Sequence, residues 1–269
     1  MILYEYWNKG QEIRSTVFLQ NRILNISYIN CWATKTSMKK NSEIEKKLQD
    51  WLSNQGYPLE MQVAESFRRA GFDVSQSEYY LDPETNILRE IDVIARKGVL
   101  IGDNIFTDIS YVIECKSTNE KPWLLFTSEN TRPYDPVIEP NYYMGTNIAE
   151  DLLVNLAIDE KLNKLTPCYH EQERHGYGLV QSFSTGTDMA FKAIMSATKS
   201  AISIIQKSNE PKFGRRCKII FPLIVIEGRL FESYIDDSSR PEINEIPLGH
   251  LMWKGGVSER STIPITGKV

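Results

Sequence analysis

Apolar residues between Ser42 and Gly71 recur at helical spacing, and beyond Gly71 the period drops to two. Ser42, Glu43 and Glu45 make a helix start with acidic residues in its first turn. Ile44, Leu48 and Trp51 keep the spacing until Gly56 breaks it. Pro58 suits the first turn of a second helix, whose stripe is Leu59, Val63, Phe67 and Ala70 and whose stop is Gly71. Phe72 to Leu81 then reads as a strand, Asp82 to Asn86 as a turn, Ile87 to Ala95 as a second strand and Ile109 to Lys116 as a third. A loop carrying Gly98, Gly102 and Asn104 is expected between the last two.

Residues 120–184 interrupt this pattern with a segment rich in Pro, Tyr and Asn, within which Thr146 to Leu162 has helical character. A strong helix follows from Thr187 to about Lys207, with Met189, Ile194, Ala197, Ala201 and Ile205 on its apolar face. Cys217 to Glu227 is a buried-type strand, although Pro222 cannot donate to a ladder and must sit at a bulge or an unpaired donor position. Gly228 turns it into a hairpin partner, Arg229 to Ile235. These elements predict an α/β domain over residues 42–236 with an insert at 120–184. An N-terminal extension (1–41) precedes it and a mixed tail (237–269) follows.

Composition changes this picture little. The chain has 269 residues, 41% hydrophobic and 25% charged, as soluble globular proteins do. A formal charge of −4 argues against sequence-blind coating of nucleic acid, but leaves room for a local basic surface. No apolar run is long enough to span a bilayer, and the start lacks the layout of a signal peptide, so no membrane partner is expected. Cys31, Cys115, Cys168 and Cys217 form no CxxC pair; free thiols in a reducing cytoplasm are the expectation.

The chemistry concentrates in Glu60 on the second helix, Asp92 on the second strand, and Glu114 and Lys116 on the third. A period of two puts Glu114 and Lys116 on one face, with Ile109, Tyr111, Ile113 and Cys115 on the other. The same rule places Asp92 with Leu88, Glu90 and Ile94. Carboxylates in a partly apolar strand are costly unless paired or bound to a cation. Asp92, Glu114 and the Cys115 backbone carbonyl offer hard oxygen ligands for Mg2+ or Mn2+. The bland alternative is an ordinary salt bridge from Lys116 to Asp92 or Glu114 in a fold without catalysis.

These residues, as Ile91-Asp-Val-Ile-Ala95 and Glu114-Cys-Lys116 after a Glu-bearing helix, resemble the PD-(D/E)xK nuclease superfamily, most nearly its Mrr-type restriction and defence branch. Ile91 stands where that family usually has Pro. The resemblance covers residues 56–117, and 187–227 by element order only. It implies a restriction-endonuclease-like αβββαβ core, a mixed β-sheet flanked by helices, and Mg2+-dependent hydrolysis of DNA. Asp92 and Glu114 would hold metal, Glu60 would orient a water or help a second cation, and Lys116 would act on water and phosphate. A homodimer would suit cleavage of both strands. The alternatives are an inactive module that binds nucleic acid or a protein partner through the 120–184 insert, and the same chemistry on RNA or branched DNA.

Arg68 and Arg69, Arg96 and Lys97, and Arg215, Arg216 and Lys218 are candidate phosphate contacts, as are Lys192 and Lys199, although charge runs are usually solvated surface. Trp123, Tyr134, Tyr142 and Tyr143 are candidates for base stacking or packing. Cys168, His170 and His175 invite a zinc reading that their spacing does not favour.

Overall fold

The computed structural model describes residues 42–101, 105–117, 121–129, 144–149, 174–184, 188–209, 217–253 and 261–267. The N-terminal extension and the helix expected beyond Ala149 lie outside them. The chain divides into two compact units, Met1–Asn54 and Gln55–Val269. In the first, α1 spans Ser42–Ser53, closed by the Asn54 amide on the Trp51 carbonyl.

In the second unit, α2 (Tyr57–Arg69) begins at Gly56 with Pro58 in its first turn. Gly71, at φ 80°, ends it: the Gly71 and Phe72 amides bond back to the Arg68 and Phe67 carbonyls. Strands β1 (Asp73–Leu81), β2 (Leu88–Ile101) and β3 (Ile105–Ser117) form an antiparallel meander. The β2–β3 ladder continues out to Ile101 opposite Ile105, so Gly98 is not in a loop as expected but within a strand, opposite Asp108. Helix α3 (Met189–Asn209) leads to β7 (Cys217–Glu227), which runs parallel to β3 along its whole length.

The segment read as an insert is not separate from this sheet. It supplies β4 (Trp123–Glu129), β5 (Met144–Gly145) and β6 (Arg174–Gln181). After β8 (Leu230–Ile235), the tail supplies β9 (Pro241–Glu245), β10 (Leu248–Trp253) and β11 (Ser261–Gly267). The strand order is β1-β2-β3-β7-β11-β10-β6-β4-β8-β9, with β5 against β7. The result is a mixed-orientation sheet flanked by helices. Neighbouring residues of β3 show the two faces: Ile113 packs with Leu59, Val63 and Ala64 of α2, whereas Val112 packs with Ala201 of α3.

Pro222 fits β7 because of which way its nitrogen points. Lys218 donates its amide to Thr146 Oγ1 and accepts from the Thr146 amide, on the edge of β7 away from β3. Main-chain groups alternate along a strand, so the Pro222 nitrogen faces that same edge. There it falls between Ile220, paired with Met144, and Ile224, paired with Ile265. A missing donor costs little at such a junction.

The largest core lies under α3, where Ala190, Ala193, Ile194 and Ala197 pack on Trp123, Leu125, Leu179, Ile224, Ile226 and Ile265. Trp123 is fully buried in it and is therefore a core residue, not a base-stacking platform. No helix among the described residues is long and apolar enough to cross a membrane.

Candidate active site

The β1–β2 ladder inverts its faces halfway along. Gln76 is opposite Val93 and Glu78 opposite Ile91, leaving Ser77 and Asp92 between these pairs. Val93 and Ala95 pack against α2, but Ile91 and Ile94 both pack on the side of Ala201 in α3. Two residues on one face three positions apart mean that regular alternation breaks between them. Ser77 carries the matching irregularity on β1, a left-handed backbone at φ 54°. Asp92 is thus not on a shared face with both Glu90 and Ile94, as regular alternation required.

Asp92 instead reaches along the sheet. Its Oδ2 accepts the Cys115 backbone amide at 2.7 Å. The last β2–β3 pair on this side is Val93 with Ile113, so Asp92 and Glu114 are the next residues where the strands part. The amide and carbonyl of one strand residue share an edge. The Cys115 carbonyl therefore faces the same fork as Asp92.

Glu114 lies on the α3 face and is almost fully buried. Its Oε1 pairs with Lys116 Nζ, and its Oε2 accepts the Ser196 hydroxyl at 2.7 Å. Glu60 comes from the first turn of α2 and feels the fields of Asp92, Glu90, Lys116 and Glu114. The fork thus brings Glu60, Asp92, Glu114 and Lys116 together. Ser196 and Glu90 were missed by sequence reasoning. Ser196 left one signal, a hydroxyl amid the apolar positions Ala193, Ile194 and Ala197.

The cluster is short of positive charge. Burial, then repulsion from Asp92 and Glu90, pushes Glu60 up to about 7. Burial likewise raises Asp92, against the Cys115 amide and Lys116. It raises Glu114 too, although Lys116 opposes it. Burial works against the Lys116 charge, but Glu114 beside it more than compensates and holds the ammonium protonated. The Cys115 thiol is pushed well up, first by burial and then by Asp92, which makes it a core filler and not a nucleophile.

Several candidate phosphate contacts are engaged inside the fold. Arg96 grips Glu78 through both terminal nitrogens, at 3.1 and 2.6 Å, and also bonds Ser75. Lys97 bonds the Ala70 carbonyl and lies over the Phe72 ring. Lys218 is buried and pairs with Asp108. Lys199 pairs with the buried Asp82 and with Glu84, tying the β1–β2 turn to α3. Arg68 and Arg69 are exposed, bonded to Gln76 and Glu65, and Lys192 is exposed as well. Arg215 and Arg216 lie outside the described residues, as do Tyr134, Tyr142, Tyr143, Cys168 and His170.

Among the described residues no three His, Cys, Asp or Glu side chains are arranged to hold a metal ion. The donors at the fork are two strand carboxylates and the Cys115 carbonyl, with Glu60 beside them. Compared with known proteins, the chain matches no family model, no curated protein and no solved structure.

Proposed function

We propose that this chain is a metal-dependent endonuclease that hydrolyses DNA phosphodiester bonds, of the PD-(D/E)xK kind and used in restriction or anti-phage defence. The observation that carries the reading is the meeting of Asp92, Glu114 and Lys116 where β2 and β3 part, with Glu60 reaching in from α2. The order α2-β1-β2-β3-α3-β7, with β3 parallel to β7, supports it further; the defence setting rests on the sequence resemblance alone.

The donor set suits a hard cation. All its atoms are oxygens, and burial strains each carboxylate toward its neutral form, which a bound cation would reverse. Asp92, Glu114 and the Cys115 carbonyl would hold Mg2+ or Mn2+, with Glu60 acting through water. Bound there, the cation would activate water and neutralise charge on the phosphate. Lys116 places a fixed ammonium beside the reacting phosphate, where charge develops. Glu60, reaching in from the first turn of α2, would orient that water.

The Glu114–Lys116 ion pair favours a second reading: with these groups already neutralising one another, the fold is an inactive module that binds nucleic acid or a protein. Incubation with plasmid, linear, single-stranded and RNA substrates, with and without Mn2+, separates the two. Mn2+-dependent cleavage lost in both Asp92→Ala and Lys116→Ala supports the nuclease. Mn2+-independent binding without cleavage supports the module, and cleavage confined to RNA moves the substrate.

A further inference from the structure

We infer that Ser196 of α3 is a positioning residue for Glu114; this rests on the nuclease reading above. Glu114 is held from two sides. Lys116 grips Oε1 from the same strand, and Ser196 donates to Oε2 at 2.7 Å from the helix across the sheet face. Lys116 lies two residues along on the same face, so by itself it would draw the carboxylate along the strand. The Ser196 hydroxyl fixes the rotation of the carboxylate plane, and with it the direction of the oxygen lone pairs.

A serine hydroxyl carries one proton, and Ser196 gives it to Glu114. The helix supplying Ser196 is itself pinned, because Lys199, one turn on and on the same face, bonds Asp82 and Glu84 at the β1–β2 turn. Asp82 is held in turn by the Glu84 and Thr85 amides and by Arg89. Ser196 touches neither substrate nor metal in this scheme. It orients a group that does, as outer-shell partners of metal ligands do generally.

The test is calorimetric titration of Mn2+ into the full chain, alongside cleavage of plasmid DNA as a function of Mn2+ concentration. Ser196→Ala should weaken Mn2+ binding about 10- to 100-fold and raise the Mn2+ concentration for half-maximal cleavage to match, with much less loss of rate at saturating metal. Ser196→Thr, which keeps the hydroxyl, should recover most of the affinity. Ser200→Ala is the control: it removes a buried hydroxyl on the same helix that bonds only the Ser196 and Ala197 carbonyls. Unchanged Mn2+ affinity in Ser196→Ala, or an equal loss in Ser200→Ala, would overturn the positioning role of Ser196. No Mn2+ binding by the unsubstituted chain would overturn the nuclease reading itself, and that role with it, and is seen before any variant is made.

Discussion

Cys115 donates its amide proton to Asp92 Oδ2 over 2.7 Å, so a carboxylate from β2 occupies the hydrogen-bonding edge of β3. That bond and the charge on Asp92 act in opposite directions on stability. The bond satisfies a main-chain donor, whereas burial penalises the charge.

The two effects separate in the Asp92 variants. Asp92→Asn keeps an acceptor for the Cys115 amide and removes the charge, so the metal-free protein should melt higher than the unsubstituted one. Asp92→Ala removes both and should be less stable than Asp92→Asn by about 1–2 kcal/mol. Both should lose Mn2+ binding. Thermal unfolding in chelator gives the order, and an Asn variant less stable than the Ala variant would count against the bond.

Lys116→Ala should abolish cleavage, yet its clearest signature is in stability. Its removal leaves Glu114 buried with only the Ser196 hydroxyl for support. Breaking a buried pair from one side costs about 3 kcal/mol or more. Mn2+ should restore much of the loss by taking over the neutralising role. Denaturant titration with and without Mn2+ checks this, and equal losses under both conditions would mean that no cation reaches Glu114.

Much of the fold was legible because single residues carry decisive constraints. Gly71 sits at φ 80° where the first apolar stripe ends, and Pro222 occupies the one kind of strand position that tolerates it. The Glu114–Lys116 face was legible because β3 keeps its alternation. The Asp92 face was not, since the break opposite Ser77 is a backbone event written in no residue type. Strands β4, β6 and β9–β11 escaped for another reason. β4 and β6 lie far along the chain from the strands they join, as β11 does from β7, while β9 forms a short hairpin with β8 but is exposed throughout, so no local apolar pattern reports it.

Glu60 and His250 contribute to the pH dependence of stability with opposite signs. Glu60 rises in the folded state from its ordinary 4.5 to about 7, so the fold binds the extra proton and loses stability as pH rises through that window. His250, buried in β10, falls from 6.5 to about 4, chiefly through burial and then through His175. The unfolded chain then binds the extra proton, and stability is lost as pH falls from 6.5 toward 4. Glu60 is only partly buried and more screened than His250, so the His250 effect, with a ceiling of about 3 kcal/mol, outweighs that of Glu60. Between pH 6.5 and 4, stability in chelator should therefore change more unfavourably in Glu60→Gln than in the unsubstituted chain, because an opposing contribution is gone. A Glu60→Gln profile parallel to that of the unsubstituted chain would show that Glu60 titrates normally.

Leu125 packs between two glycines on neighbouring strands. A Cβ on Gly176 would come within 2.5 Å of Leu125 Cδ1 and 2.8 Å of the His250 carbonyl oxygen, and one on Gly249 within 2.5 Å of Leu125 Cδ2. Leucine can turn aside, but the main-chain oxygen at Gly176 cannot. Gly176→Ala should cost about 1–3 kcal/mol and Gly249→Ala less, while Leu125→Ala in the Gly176→Ala background recovers little. Unfolding midpoints of the three proteins test the order, and a larger penalty at Gly249 would reverse the assignment of the clash.

Ser77 should tune the fork from a distance. Its φ of 54° costs a non-glycine residue about 1–2 kcal/mol, and the inversion it permits lies opposite Asp92. Ser77→Gly removes that strain while loosening the unfolded chain, so its stability should change by less than about 1 kcal/mol and its Mn2+ affinity little. Ser77→Val resists the left-handed backbone. It should drive β1 back toward regular alternation and draw β2 with it, turning Asp92 away from the Cys115 amide. The expected result is a loss of Mn2+ affinity with the fold retained, and faster hydrogen exchange at the Cys115 amide. Wild-type exchange and affinity in Ser77→Val would show that Asp92 holds its place without the inversion in β1.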